Sequence, residues 1–231
     1  MVQRIRKLLA KNSHIKKALL FVYFHTYKKI ERFVQNRRFL KYGSKLLQEA
    51  DQAFREVGVE YWLDFGTLLG AYREGDFLKH DLDLDLGMYL KDYNPQLDQA
   101  LQKRGFKKIK EYLIDGGNFG REITYSYKGV GLDIFFYTQI DDTRAYYHDF
   151  LWMKKNGKKV LRPRQITLAL EGTVPLRFQG STYKAPHPIE KHLADRYGED
   201  FMVEKKEWRL GMERDLDIQV LDKEVQLIRY E

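Results

Sequence analysis

Residues 81–86 read Asp81-Leu82-Asp83-Leu84-Asp85-Leu86, a strict alternation of acid and leucine. In a β-strand successive side chains point to opposite faces, so the three aspartates share one face and the leucines share the other. Same-face neighbours lie roughly 7 Å apart along the strand. Carboxylates on that spacing can converge on ions about 3.5–4 Å apart, the separation found in two-metal phosphoryl-transfer sites. Three like charges raise one another's pKa, and Mg²⁺ or Mn²⁺, hard cations that prefer oxygen ligands, relieve the repulsion. The plain alternative is a solvated edge strand with its acids outward and its leucines inward.

The flanking sequence bears on that choice. Lys45 to Val57 repeats Leu46, Leu47, Ala50, Ala53, Phe54 and Val57 at helical spacing, and Gly58 stops it. Val59 to Phe65 then reads as a short strand, followed by Gly66-Thr67 and a short helix over Leu68 to Tyr72. Glycine lets a backbone approach a phosphate closely, and the N–H groups of a helix start bind anions. A Gly-Thr pair alone is usually only a turn. Its position fifteen residues ahead of the aspartates gives it weight. Downstream, Gly131-Leu132-Asp133-Ile134-Phe135-Phe136 is an apolar strand with a single acid. An acid buried there is costly unless it is paired or metal-bound; a partly exposed strand end is the other reading.

Elsewhere, Leu82 to Tyr89 is read as a strand, and Gln96 to Lys103 as a helix opened by Asn94-Pro95 and closed by Gly105. Lys107–Leu113, Arg121–Tyr127 and Gly131–Tyr137 are strand candidates separated by glycine-bearing turns. Arg144–Lys154 fits either a strand or a helix. Asn156-Gly157, flanked by Trp152-Met153 and Val160-Leu161, signals a hairpin. Pro188 to Tyr197 reads as a helix ended by Gly198, and the charged remainder as partly helical. Residues 1–44 read as a basic helical extension and 45–231 as the catalytic domain.

With 231 residues the chain is long enough for a sizeable core. It has no cysteine, which excludes disulfides, zinc-thiolate sites and cysteine nucleophiles. A formal charge of +8 points to an anionic partner: phosphates, nucleic acid or an acidic membrane surface. The charge is uneven, since residues 1–45 hold many Lys and Arg against one acid, Glu31. Residues 3–40 read as a helix that can lie on an anionic membrane surface or pack on the domain with a solvated basic face. The apolar stretch Ala18 to Phe24 is far short of the roughly 20 residues of a spanning helix. No small-residue cleavage site follows it. The expectation is a cytoplasmic protein, at most peripheral to a membrane.

The strand, Gly-Thr helix, Asp-x-Asp strand and later lone-Asp strand resemble the active-site frame of the nucleotidyltransferase superfold. More narrowly, Tyr61-Trp62-Leu63-Asp64-Phe65-Gly66-Thr67-Leu68-Leu69-Gly70-Ala71-Tyr72-Arg73, followed by Phe77 through Asp85, resembles the LicD/fukutin family. Gly131-Leu132-Asp133-Ile134 and the helix running into Tyr197-Gly198 extend the likeness. Lys79-His80 stands where that family often has Pro-Trp, and Leu82 where it often has a further Asp. The resemblance implies an α+β fold, with a mixed β-sheet flanked by helices. It also implies transfer of phosphocholine or a phospho-alditol from a CDP-linked donor to a glycan acceptor, with Mg²⁺ or Mn²⁺. Asp83 and Asp85 then match the metal-binding pair and Asp133 the third carboxylate, with Asp81 one shell further out. Gly66 and Thr67 match the phosphate-approaching turn.

Arg73, Lys79 and His80 flank the acidic strand and either touch phosphates or only balance its charge. The basic hairpin Lys154-Lys155-Asn156-Gly157-Lys158-Lys159, with Arg162 and Arg164, either grips a phosphorylated substrate or is a solvated loop. His187, between Pro186 and Pro188, either lines a pocket or is a surface residue. Two rival functions stand beside the transferase: nucleotide addition to a nucleic-acid end, and a non-catalytic membrane-surface adaptor. The absence of a recognisable RNA-binding module weighs against nucleic acid.

Overall fold

The computed structural model describes residues 13–155, 157–204 and 217–230. Among these residues it is an α+β fold of four α-helices around a nine-stranded, mostly antiparallel sheet and a separate two-stranded one. Helix α1, Ser13–Val57, is followed by β1 (Trp62–Leu63), α2 (Phe65–Arg73), β2 (Asp83–Tyr89) and α3 (Gln96–Lys103). Then come β3 (Phe106–Ile114), β4 (Gly120–Tyr127), β5 (Val130–Gln139), β6 (Arg144–Lys155) and β7 (Lys158–Ala169). The chain continues through β8 (Gly172–Phe178), β9 (Ser181–His187), α4 (Ile189–Tyr197), β10 (Asp217–Val220) and β11 (Val225–Arg229).

The large sheet runs β10-β7-β6-β5-β4-β3-β11, and β2 adds to β5 with β1 beyond it. The β2–β5 pair is parallel and the other pairs are antiparallel. That one parallel pair makes the sheet mixed. Its register sets Asp83 opposite Gly131, Leu84 opposite Leu132 and Asp85 opposite Asp133. The alternation therefore does what its period demands. Leu84, Leu86 and Met88 are fully buried on the core side with Leu132, Ile134 and Phe136. Leu46, Leu47, Ala50 and Phe54 of α1 join the same core. Each such leucine contributes about 1.5–3 kcal/mol on burial, which fixes the register and leaves the aspartates on the opposite face. A smaller core under the other end of the sheet gathers Trp62, Tyr137, Tyr147, Ile166 and Leu168.

Several expectations need correction. The two N-terminal helices run as one: α1 continues across residue 44, and Phe39 within it is buried, its ring meeting Phe77 edge-on at 4.9 Å. Residues 1–12 of the expected extension lie outside the described residues. The strand expected over Val59 to Phe65 shrinks to Trp62–Leu63, because Asp64 caps α2 by accepting the N–H of Phe65 at 2.8 Å. Arg144–Lys154 is strand, pairing with β7 along its whole length. Of the charged end, read as partly helical, the described part adds the edge strands β10 and β11; residues 205–216, on which the rest of that reading falls, lie outside the described residues. Charged side chains are tolerated at such edges because one side of the strand faces water. The hairpin β8–β9 was not anticipated. Pro175 and Pro186 interrupt its pattern, but a two-stranded sheet leaves open edges where a missing N–H costs little.

Gly70 provides a test of the packing between α2 and the segment leading to β2. A Cβ at Gly70 would sit 2.7 Å from the carbonyl oxygen of Asp76 and 2.9 Å from the nitrogen of Leu78, both backbone atoms. At an open helical position Gly→Ala stabilises by roughly 1 kcal/mol. Here the overpacking reverses the sign, and Gly70→Ala should cost about 1–3 kcal/mol in urea denaturation. A stabilised variant would contradict the packing described.

Candidate active site

The acidic face of β2 and β5 forms the floor of a cavity of about 1020 Å³ lined by Asp81, Asp83, Asp85 and Asp133. Sheet register assembles this floor. Asp85 lies beside Asp133, which lies beside Thr124 of β4, which lies beside Lys110 of β3. Adjacent strands are about 4.8 Å apart, so two carboxylates, a hydroxyl and an ammonium stand in one lateral row. The next row carries Phe135, Glu122 and Tyr112. The Thr124 hydroxyl donates to Oδ1 of Asp133, which orients that carboxyl and leaves its other oxygen for a ligand.

Helix α2 is tied to this floor at Asp85. The N–H of Gly66 donates to Oδ2 of Asp85 at 3.2 Å, and the N–H of Asp85 donates to the Thr67 hydroxyl at 3.0 Å. The N–H of Asp64 completes the lock by donating to the carbonyl of Asp85 at 3.1 Å. Gly66 sits close to Asp81: a Cβ there would lie 3.0 Å from Oδ1 of Asp81, whose carboxyl would have to shift to admit it. Phe65, between them, holds φ at 43°, a left-handed conformation that costs a bulky residue about 1–3 kcal/mol. That conformation lays its ring on Phe135 at 4.1 Å and under the guanidinium of Arg196 at 3.5 Å.

A buried polar cluster stands behind this wall. Asp64, fully buried, accepts the Tyr137 hydroxyl at 2.6 Å and lies 3.3 Å from Nε2 of His192. Arg196 donates to the Tyr137 and Tyr147 hydroxyls at 2.9 and 2.7 Å, and its guanidinium reaches the cavity lining. Burial alone would raise the Asp64 pKa, but the Arg196 guanidinium, helped by His192 and Tyr137, holds it below the usual carboxylate range. From the other side, Asn36 of α1 donates to the carbonyls of Lys79 and Asp81, both at 2.8 Å, and so fixes the chain as it enters β2.

The acids on the cavity face behave in the opposite way. Burial, then the charges of Asp83 and Glu74, push Asp81 up to about 7. Burial and Asp133 raise Asp83; burial and the surrounding aspartates raise Asp85 further. Burial also raises Asp133, and with Asp133's charge it pushes Glu122 up to about 8. Lys110 offsets part of this repulsion at Asp83, Asp133 and Glu122.

The residues fit a divalent metal by donor chemistry. All the crowded donors are carboxylate oxygens, and Oδ2 of Asp81 is buried with no hydrogen-bond partner. Among the described residues no three such groups enclose a metal by themselves. An Mg²⁺ site that keeps waters and borrows phosphate oxygens needs only one or two carboxylates.

The expected site residues are thus partly assembled. Asp83, Asp85 and Asp133 come together on one face, with Asp81 beside them rather than behind. Gly66 and Arg73 line the cavity; Arg73 also donates to the carbonyl of Phe201 at 3.3 Å. Thr67 is fully buried, its hydroxyl turned to the Asp85 backbone rather than to the cavity. Lys79 is exposed and outside the lining, whereas His80 belongs to it. His187 is exposed at the end of β9, 3.8 Å from Glu171. Among residues not anticipated, Asp64, His192 and Arg196 become visible only once α4 is seen to pack behind α2. Lys110, Thr124 and Glu122 depend on strand register, and Arg32 and Asn36 on the path of α1.

Comparisons with known proteins agree on the family. Residues 58–188 match the family described as LicD/FKTN/FKRP, nucleotidyltransferase domain. The chain is 29% identical over 183 residues to the ribitol-5-phosphate transferase FKTN of Mus musculus, covering 74% of this chain and 35% of that protein. It is 30% identical over 155 residues to the ribitol 5-phosphate transferase FKRP of Homo sapiens, covering 62% and 28%. The chain thus spans only about a third of the length of these curated relatives, 35% and 28%.

The electrostatics set two expectations. Cavity carboxylates with raised pKa values hold protons that the unfolded chain has lost, so stability falls as pH rises through about 7 for Asp81 and about 8 for Glu122. Added Mg²⁺ should restore melting temperature more at alkaline than at acidic pH; a shift equal at both would contradict the assignment. Asp85→Asn keeps an acceptor for Gly66 while removing one repelling charge. It should melt no lower than the parent without metal and lose most of the rise in melting temperature on adding Mg²⁺; a variant that keeps the full rise would contradict the assignment.

Proposed function

The chain belongs to the LicD/FKTN/FKRP nucleotidyltransferase-domain family, and on that premise we propose that it is a metal-dependent phosphotransferase acting on a glycan. The observation that carries the reading is the row Asp85–Asp133–Thr124–Lys110, with Asp83 beside it, on the floor of a large open cavity. Crowded carboxylates whose repulsion Lys110 offsets only in part suit a substrate that arrives with its own cation and phosphates. The relatives are ribitol-phosphate transferases, and by that likeness a phospho-alditol, ribitol phosphate first, is the leading group for transfer. The donor is proposed to be CDP-linked.

Asp83 and Asp85 would hold Mg²⁺, with Asp133 as third carboxylate, and the ion would neutralise charge growing on the leaving nucleotide. The protein's own part is positioning. Lys110 and Arg73 supply positive charge around the acidic floor, where donor phosphates would lie. Arg196, its guanidinium carbon 3.5 Å from the centre of the Phe65 ring and held by two tyrosine hydroxyls, belongs to the cavity lining and would offer a planar guanidinium to phosphate oxygens. The parallel pair Tyr112–Phe150, with ring centroids 4.6 Å apart, offers a stacking surface at the cavity wall for a base or sugar. The acceptor hydroxyl would attack the donor phosphorus while the bond to the CMP oxygen breaks. Its proton would pass to Asp133, whose carboxyl the Thr124 hydroxyl orients on the cavity floor.

A turnover panel tests this. CDP-ribitol, CDP-glycerol, CDP-choline and nucleoside triphosphates are each supplied with Mg²⁺ and an oligosaccharide acceptor, and nucleotide release is followed. CMP release from a CDP-linked donor, abolished by a chelator, is the expected result. Turnover of triphosphates onto a nucleic-acid end, with none from CDP-linked donors, would replace the proposal with its rival.

A further inference from the structure

Helix α1 has two faces with different occupants. Arg32, Asn36, Phe39 and Gly43 recur at spacings of four, three and four, and they face the body. Arg32 lines the cavity, Asn36 binds the backbone before β2, and Phe39 and Gly43 are buried. Each residue turns a helix by about 100°, so Val34 and Ile30 point away from the body. On that outer side Tyr27, Ile30, Phe33 and Val34 are 52%, 58%, 61% and 40% exposed, and Leu40 is 55% exposed beyond them. Exposed Lys28, Lys29, Arg37, Arg38 and Lys41 surround them, with Glu31 the single acid of this stretch. The guanidinium of Arg37 lies 5.4 Å from the centre of the Phe33 ring.

We infer that this outer face of α1 docks on an anionic phospholipid surface, which brings the cavity beside the bilayer, with Arg32 on the helix's opposite side. Charge decides the occupant. A second copy of the helix would set basic side chains against basic side chains with one acid per chain to pair them, whereas paired helices need opposite charges flanking the apolar seam. Anionic headgroups accept the lysines and arginines while the aromatic and aliphatic side chains enter the headgroup boundary. No helix among the described residues is long and apolar enough to cross the membrane, so the contact is with its surface. The inference stands whether or not the cavity turns over the proposed donor.

The full chain is sedimented with vesicles of phosphatidylcholine alone or mixed with phosphatidylglycerol. Binding is expected to the mixed vesicles only. Ile30→Glu with Phe33→Glu should lower partitioning roughly tenfold or more, with an unchanged melting temperature because both side chains are exposed. Lys158→Glu with Lys159→Glu, at the tip of the β6–β7 hairpin, should bind as the parent does. Failure to sediment with mixed vesicles would overturn the inference, as would loss of binding in the hairpin variant alone. A dimer in light scattering that the Ile30/Phe33 variant dissociates would assign the face to a second copy instead.

Discussion

The three hydrogen bonds that tie Asp85 to the start of α2 are the constraint on which the site depends. Through them the backbone of Asp64, the N–H of Gly66 and the hydroxyl of Thr67 all close on one residue of β2. Strand β2 joins the sheet through β5 and the short β1, so its position along β5 decides what faces the cavity. A slip of one residue would exchange aspartates for leucines on both faces. The leucines resist the slip by burial and the Asp85 lock resists it by geometry. Hydrophobic packing and polar fixation therefore specify one register.

That register concentrates negative charge, and the fold answers it with positive charge at two distances. Lys110 stands in the same lateral row, while Arg196 is held one layer back by Asp64, Tyr137 and Tyr147. The two acidic groups thus have opposite electrostatic characters. Asp64 is buried with its counter-charge and stays ionised, a structural pair whose loss would strand a buried guanidinium. The cavity aspartates are crowded without enough compensation. Stability is spent at that point, and the strained backbone of Phe65 adds to it.

Much of this was legible in the sequence wherever a local period carried the information. The alternation at 81–86 gave the face, the spacing at 45–57 gave the core side of α1, and Asp133 stood out as an acid in an apolar strand. The comparison with LicD-like sequences placed these pieces in one frame. What escaped depended on tertiary placement. Thr67 looks like a phosphate ligand in a Gly-Thr turn, but its hydroxyl is taken by the Asp85 backbone. Lys79 is adjacent to the acidic strand in sequence, yet it faces solvent, because Asn36 holds its carbonyl toward α1. His192 and Arg196 carry no local signature, since their role exists only where α4 packs behind α2. The terminal strands were hidden by their charge, which an edge position allows.

The faces of β2 and β5 are proposed to hold a divalent metal for phosphoryl transfer. Anomalous diffraction at the manganese edge from crystals grown with Mn²⁺ and CDP tests it most directly. The expected result is a manganese peak in contact with carboxylate oxygens from the Asp83, Asp85 and Asp133 cluster and with a CDP phosphate. A peak elsewhere on the protein, or CDP bound in the cavity with no manganese beside those aspartates, would contradict it.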